Sequence, residues 1–400
     1  MAVWDDLVGQ ARVEEQLAAA ARDADVLVTA QAAGEPAPEA SKMTHAWLFT
    51  GPPGSGRDTA ARAFAAALQC VSPDRALGGA PGCGFCDGCH TALIGTHADV
   101  EVVRTDLLSI GVKETRELVR RAQLSPAGRR WQVIVLEDAD RLTEGAANVL
   151  LKAVEEPAPR TVWLLCAPSL EDVLPTIRSR CRHLTLSTPS VQAVADLLIR
   201  RDGIEPEVAQ AAARATQGHI DRARRLATDE RARARRAVVL KLPMRVGDVG
   251  GGLRAAQELV DAAAEDAKQV AEEVDVKETE ELKAALGAVQ GGRMPRGTAG
   301  AMKELEDRQK RRRTRTQRDS LDLALTDLTG FYRDVLAVQL RAASPLANED
   351  VRDALETIAR DTTPERTLRR IEAVLACRAA LDRNVAPLLA VEAMTMELRD

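Results

Sequence analysis

The chain has 400 residues, of which 45% are apolar and 29% are charged, and its net charge is −5. This length exceeds one ordinary hydrophobic core and predicts two or three domains, while the acidic balance excludes a globally basic nucleic-acid-binding protein. No apolar run reaches the ~20 residues of a membrane span, and the first residues lack a signal-peptide pattern. We therefore expect a cytoplasmic protein whose seven cysteines form no structural disulfides.

The first half of the chain predicts an α/β domain over residues 1–187. A helix is expected at 7–22 and a loop at 28–42, where glycine and proline lie among small residues. Short apolar runs then alternate with segments of helical spacing, which is the pattern of a parallel sheet covered by helices. The expected strands are 46–50, 100–103, 133–136 and 162–166, and the expected helices are 57–68, 112–123 and one that includes 148–154.

The second half predicts helices alone. Segments 191–201 and 207–216 predict a small helical domain over 188–245, and later helices predict a third domain over 246–400. Glycines within 287–300 and a dense basic run from Arg308 to Arg318 predict a disordered basic insertion near 268–318. The basic run could bind nucleic-acid phosphates or an acidic partner, although a solvated tether is the simpler interpretation.

A glycine-rich segment, Gly51-Pro52-Pro53-Gly54-Ser55-Gly56, lies between the first predicted strand and a helix. In this context backbone N–H groups at a helix N-terminus can surround a phosphate, and a tight Gly/Pro turn is the alternative. A working nucleotide loop continues with Lys and then Ser or Thr, whereas this chain has Arg57 and Asp58. Arg57 is a bulkier, planar cation, and Asp58 places a carboxylate where a magnesium-binding hydroxyl is needed. We expect a vestigial nucleotide site formed by Gly51, Gly54, Gly56, Arg57 and Asp58.

Two acidic residues, Glu137 and Asp138, directly follow the apolar run 133–136. A nucleotide-hydrolysing site would carry a magnesium-binding Asp followed by a catalytic Glu at this place, so the order is inverted. The pair belongs either to the vestigial site or to the cap of the next helix, and the sequence does not favour one over the other.

The strongest metal signal is Cys83-x₂-Cys86-x₂-Cys89 in a Gly-rich stretch, with Cys70 upstream. Four thiolates match a closed tetrahedral zinc site, which has a structural role because no position is open to water. Iron–sulfur ligation also uses close x₂ repeats, but that pattern needs a further downstream cysteine. His90 and His97 are alternatives to Cys70 as the fourth ligand.

An arginine motif, Arg178-Ser179-Arg180-Cys181, ends the predicted α/β domain. An exposed arginine in such a place can reach the γ-phosphate of a nucleotide held by a neighbouring subunit. From this tetrapeptide alone, a solvated surface arginine is the simpler interpretation.

These motifs, in this order, resemble the bacterial DNA polymerase III clamp-loader family of AAA+ subunits. The most specific match is Asn-x-Leu-Leu-Lys-x-x-Glu-Glu-Pro at residues 148–157. The other matches are the four-cysteine insert, Gly51–Gly56, Glu137–Leu142, Ser179-Arg180-Cys181, Val8-Gly9-Gln10, His45-Ala46, Gly218-x-x-x-Arg222-Ala223 and Asn384-Val385-x-Pro387. The resemblance spans nearly the whole chain, apart from residues 28–42 and about 268–318.

The resemblance implies an α/β plus all-α fold: an AAA+ P-loop module with a zinc insert at 70–89, a small helical lid domain and a C-terminal helical collar domain. It implies a ring shared with gamma/tau and delta subunits, which loads a sliding clamp onto primed DNA without membrane contact. In such a ring Arg180 is the arginine finger for a neighbour's ATP. Arg222 is the second sensor of the chain's own site, and zinc binds the four cysteines.

Within this family, the zinc insert and Ser-Arg-Cys occur in gamma/tau motor subunits and in delta-prime subunits. Motor subunits need the loop's Lys and Thr. This chain instead has Arg57 and Asp58, the inverted acidic pair, and Ala167-Pro168 at the place of the first sensor. These departures indicate a delta-prime-like stator rather than a motor. Binding of ATP by this subunit is then doubtful, and the isolated chain is expected not to catalyse a reaction. It would still be part of a DNA-directed DNA polymerase holoenzyme, a nucleotidyltransferase, and of a clamp-loader ATPase.

Two alternatives remain open at this point. One is a gamma/tau-like motor subunit or another AAA+ ATPase, against which Arg57 and Asp58 argue. The other is a zinc-dependent nucleic-acid adaptor that uses Arg308–Arg318, against which the segment 148–157 argues.

Overall fold

The computed structural model describes residues 2–36, 41–73, 81–105, 107–128, 130–285 and 299–399. They form two compact units, one of residues up to 105 together with 109–227, the other of 107–108 together with 228–399. The division into three domains at 187 and 245 stays a prediction. Within the described ranges, no helix is both long and apolar enough to cross a lipid bilayer.

A parallel sheet of five strands organises the described part of the first unit. The strands are β1 (Ala46–Thr50), β2 (Val100–Val103), β3 (Gln132–Leu136), β4 (Thr161–Ala167) and β5 (Arg182–Thr185), in the order β2-β3-β4-β1-β5. Every residue of β1, β3 and β4 is buried, as expected for central strands of a sheet covered on both faces. The loop after β1 therefore lies at the carboxyl edge of the sheet, between the ends of β4 and β5.

Helices cover both faces of this sheet. They are α1 (Ala11–Ala33), α2 (Arg57–Leu68), α3 (Asp87–Leu93), α4 (Val112–Ala122), α5 (Glu144–Glu155) and α6 (Pro175–Arg178), followed by α7 (Val191–Asp202), α8 (Pro206–Ala215) and α9 (Ile220–Thr228). Alternate side chains of β1 point to opposite faces. Trp47 packs edge-on against Phe64 of α2, with ring centroids 5.1 Å apart, and Leu48 belongs to the core on the other face with Leu150 of α5. Helices α7, α8 and α9 share a smaller core of their own.

Several elements of the first unit differ from the sequence prediction: helices α3, α6 and α9 were not predicted, and α1 and β5 also differ. Helix α1 continues to Ala33, so residues 28–33 are helical rather than a loop, because buried Ala24 and Ala30 extend its packed face. Gly34 ends it in the left-handed conformation, φ +74°, and its N–H donates to main-chain carbonyls of the last turn. Strand β5 was not predicted, since one buried residue in four, Leu184, is too short a pattern to read. Residues 37–40 of the predicted loop lie outside the described residues.

Helices also build the second unit. They are α10 (Glu230–Lys241), α11 (Val249–Ala285), α12 (Ala299–Gln339), α13 (Arg352–Asp361), α14 (Pro364–Asp382) and α15 (Pro387–Glu397). Their common core contains Phe331 and Tyr332 of α12, Val374 of α14 and Val391 of α15, all almost completely buried. The α/β plus all-α fold class with a helical C-terminal region is confirmed.

The prediction of disorder near 268–318 is wrong for the described residues 268–285 and 299–318, which extend α11 and α12. Residues 286–298 lie outside the described part. Charge pairing joins the two helices here: Arg312 bonds to Asp275 at 2.6 Å and to Glu278 at 2.5 Å. Gln309 adds a hydrogen bond of 3.1 Å to the Asp275 carbonyl. Because these contacts are polar, the apolar periodicity that predicts helices is weak in this segment.

Candidate functional site

The glycine loop joins β1 to α2 with the backbone that a phosphate loop requires. Gly54 and Gly56 have φ of +85° and +78°, a conformation that side chains disfavour, and Gly56 directly precedes the first residue of α2. The Gly51 N–H donates to the Pro168 carbonyl at 3.2 Å, which ties the loop to the end of β4. The scaffold of a phosphate loop is therefore present.

His219, next to the start of α9, packs directly on this loop. A Cβ built on Gly54 would lie only 2.5 Å from the His219 Cγ, so a glycine is required at 54 by contact as well as by φ. Burial lowers the pKa of His219, which disfavours a charged ring against the loop. The Arg222 N–H donates to its Nδ1 at 3.5 Å.

A cleft of about 260 Å³ opens beside the loop. Its lining includes six predicted site residues: Gly54, Gly56, Arg57, Asp58, Glu137 and Asp138. Gly51 and Arg222 are not among the described residues that line it. Arg104, Arg201, His219 and Arg224 also line the cleft and were missed from the sequence. Arg104 follows β2 directly, a position at the carboxyl edge of the sheet that could have been a signal.

Three charged groups of the cleft, those of Arg57, Glu137 and Asp138, bond to other parts of the protein. Arg57 Nη1 donates to the Gly51 carbonyl at 2.9 Å, so this side chain folds back on its own loop. The buried Glu137 pairs with Arg62 of α2 at 2.5 Å, and this hydrogen bond raises the pKa of Arg62. Asp138 Oδ2 accepts the Thr105 N–H at 3.0 Å. Glu137 and Asp138 thus each bond to another part of the protein, through one carboxylate oxygen in each of these contacts.

The four cysteines Cys70, Cys83, Cys86 and Cys89 meet in one cluster, with all Sγ atoms within 4.8 Å of one another. Cys83 and Cys89 Sγ are 4.0 Å apart, and Cys86 and Cys70 Sγ are 3.9 Å apart. A tetrahedral ion with bonds of about 2.3 Å to sulfur needs edges of about 3.8 Å, so the spacing fits such a metal ion. The group could hold a metal ion.

Local backbone positions these sulfur atoms. The Cys86 N–H donates to Cys83 Sγ at 3.4 Å, and the Val71 N–H donates to Cys86 Sγ at 3.3 Å, both bonds that stabilise thiolates. A hydrogen bond from Cys89 lowers the pKa of Cys70 to about 3, and the same contact raises the pKa of Cys89. His97 Nδ1 instead accepts the Asp99 N–H at 3.0 Å, and neither His90 nor His97 belongs to the cluster found among the described residues.

Arg180 lies in the turn between α6 and β5, directly ahead of the last strand of the sheet. Its side chain is 39% exposed, and Nη2 pairs with Glu155 of α5 at 2.5 Å. Its Nη1 donates to the Thr176 carbonyl at 2.9 Å and to Ser179 Oγ at 3.1 Å. The structure therefore presents this arginine at the surface in a fixed position.

The basic run from Arg308 to Arg318 belongs to α12. Arg312 is buried against Asp275 and Glu278, and Arg313 also pairs with Asp275, at 2.7 Å. Part of the basic charge is thus neutralised within the helical hairpin of α11 and α12.

Comparison with protein families gives two matches. A family model described as DNA polymerase III, delta subunit, covers residues 35–190, and a model described as DNA polymerase III, delta subunit, C terminal, covers residues 317–398. The chain belongs to the DNA polymerase III delta-subunit family. The clamp-loader resemblance that the sequence motifs indicated is thereby confirmed.

The individual relatives are named as gamma/tau or delta' subunits of DNA polymerase III. The chain is 37% identical over 146 residues to DNA polymerase III subunit gamma/tau of Mycobacterium tuberculosis, which is 36% of this chain and 25% of that protein. It is 32% identical over 204 residues to subunit delta' of Bacillus subtilis (51% and 60%) and 38% identical over 172 residues to subunit delta' of Pseudomonas aeruginosa (42% and 50%). The matched segments thus cover from a quarter to about 60% of these relatives.

Among solved structures, a gamma subunit-related protein from Thermotoga maritima matches with a TM-score of 0.38 and 16% identity, over 88% of this chain and 93% of that one. A Thermotoga maritima RuvB mutant matches with a TM-score of 0.36 and 18% identity, over 76% and 97%.

Proposed function

We propose that this chain is a delta-prime-like subunit of the DNA polymerase III clamp loader, which helps load the sliding clamp onto primed DNA during replication. The observation that carries the proposal is the loop after β1. It keeps the phosphate-loop backbone, yet Arg57 bonds to the loop's own Gly51 carbonyl and Asp58 stands in place of the hydroxyl that binds magnesium. Such a subunit contributes scaffold rather than ATP hydrolysis.

The partners of this subunit are then gamma/tau and delta subunits in a cytoplasmic hetero-oligomeric ring. Arg180 would supply positive charge to the nucleotide of a neighbouring subunit, which fits its exposure and its place next to β5. The ion in the four-cysteine cluster would be zinc, because four thiolates with tetrahedral spacing suit this metal, and its role would be to hold residues 70 and 83–89 together.

The test is reconstitution. The chain should co-purify with gamma/tau and delta subunits of the same organism, and clamp- and DNA-stimulated ATP hydrolysis should be higher with it than without it. Failure to enter the complex would refute the proposal.

A gamma/tau-like motor is the second candidate, because the chain is about as similar to a gamma/tau subunit (37% identical over 146 residues) as to a delta' subunit (38% over 172 residues). A titration of the isolated chain with ATP and Mg²⁺ separates the two candidates. Micromolar binding with turnover supports the motor, and neither is expected for a delta-prime-like subunit.

A further inference from the structure

We propose that Glu155 is a positioning residue, which holds the Arg180 guanidinium in the orientation from which it reaches a nucleotide on a neighbouring subunit. The inference rests on the proposed function, because it concerns how the arginine assigned there is oriented. Glu155 is the last residue of α5, and its Oε1 lies 2.5 Å from Arg180 Nη2.

Three acceptors fix the guanidinium: two lie in or next to α6, and the third is on α5. Ile177 of α6 is 1% exposed within the core, so the neighbouring Thr176 carbonyl that binds Nη1 is fixed relative to the sheet. Ser179 Oγ also accepts from Nη1 and donates to the same carbonyl at 3.1 Å. Glu155 belongs to a different helix, so it is the contact that stops rotation of the group about its own turn.

The remaining donors suit a phosphate. A guanidinium carries five N–H groups, and the three contacts use two on Nη1 and one on Nη2. One N–H on Nη2 and one on Nε remain, and adjacent donors of this kind bind two oxygens of one phosphate side by side. The anchored arginine is therefore still able to bind a phosphate in the two-point geometry.

The place of Glu155 in α5 gives an independent argument. The C-terminal end of a helix carries partial negative charge, so a carboxylate in the last turn disfavours the helix. Helix stability alone would place a neutral or basic residue at 155. The Arg180 contact is the interaction of Glu155 that offsets this cost among the described residues.

The experiment uses the complete reconstituted complex. The Arg180-dependent rate is the clamp- and DNA-stimulated kcat of the wild type minus that of Arg180→Ala. Glu155→Ala should lower this rate about two- to fivefold, the range that an exposed ion pair supports, with the KM for ATP unchanged. Glu155→Gln keeps an acceptor oxygen and should recover part of the rate. Glu156→Ala, the exposed neighbour, is the control and should match the wild type.

The double variant Glu155→Ala/Arg180→Ala decides the mechanism. It should be no slower than Arg180→Ala alone, because Glu155 acts through Arg180. An added loss in the double variant, or an unchanged or faster rate for Glu155→Ala, overturns the positioning role. If Arg180→Ala itself has no effect, the arginine-finger part of the proposed function fails instead, so the two failures are distinguishable.

Discussion

Arg180 is the residue at which the proposed function can be tested most directly. Arg180→Ala should leave the chain folded and able to assemble, since the side chain is exposed and its contacts are at the surface. A positive charge that reaches a transition-state phosphate is worth about 10³ or more in rate at that site. Because a ring contains other ATP sites, we expect a partial loss of clamp- and DNA-stimulated ATP hydrolysis by the complete complex.

Arg178→Ala is the matched control, because Arg178 lies at the end of α6 within the same turn. It should have little effect on either assembly or ATP hydrolysis. Unchanged clamp loading and turnover in Arg180→Ala complexes would leave Arg180 an ordinary surface residue.

The glycine loop makes a second prediction at the residue scale. The isolated chain should not hydrolyse ATP, because Asp58 repels phosphate oxygens and Arg57 is bonded to Gly51. A coupled ATPase assay on purified protein measures this. Gly56→Val is the control for contamination: turnover that this variant abolished would come from the chain itself and would contradict the prediction.

The sequence predicted most of these site residues, but it did not predict the contacts that fix their side chains. The Gly-rich pattern and the cysteine spacing are local, so they were visible in the chain. His219 against Gly54, and Glu155 against Arg180, join residues that are far apart in sequence. No periodicity or motif carries such a contact, and only the packed structure reveals it.

At the scale of elements, the buried apolar runs predicted β1, β3 and β4 well, because central parallel strands are apolar on both faces. The edge strand β2 was also predicted, because three of its four residues are valines. The sequence did not predict strand β5, at one edge of the sheet, or the helical hairpin of α11 and α12. Their burial is partial or polar, so their sequences look like a loop and a charged tether.

The hairpin yields a prediction about stability. Asp275 is buried and binds both Arg312 and Arg313, so Asp275→Ala leaves buried positive charge with fewer partners. Loss of one member of a buried ion pair costs about 3 kcal/mol, which should appear as a lower free energy of unfolding in a denaturant titration.

Lys277→Ala is the control for the hairpin. Lys277 pairs with Glu281 at 3.9 Å with both side chains exposed, so its loss should cost less than about 1 kcal/mol. Equal effects of the two variants would show that the charge pairs do not hold α11 to α12.

At the scale of the whole molecule, the two compact units differ in what stabilises them. The first contains the four-cysteine cluster, and the second relies on a helical core around Phe331 and Tyr332 together with buried ion pairs such as that of Arg312 with Asp275. A perturbation of the metal should therefore act on one unit and leave the other as it is.

Removal of the metal is the corresponding prediction. Elemental analysis should find one zinc ion per chain in the wild type, and none in Cys83→Ser. A strong chelator, or this substitution, should lower the melting temperature of the first unit by about 5 °C or more, since each kcal/mol shifts the midpoint by about 2–4 °C in a unit of this size. The second unit should melt as before.

Cys377→Ala is the control for the metal site: it removes a buried cysteine of the second unit and should retain the zinc. Absence of zinc from the wild type, or a coloured iron–sulfur chromophore, would contradict the zinc assignment, because four thiolates around zinc are colourless and closed to further ligands.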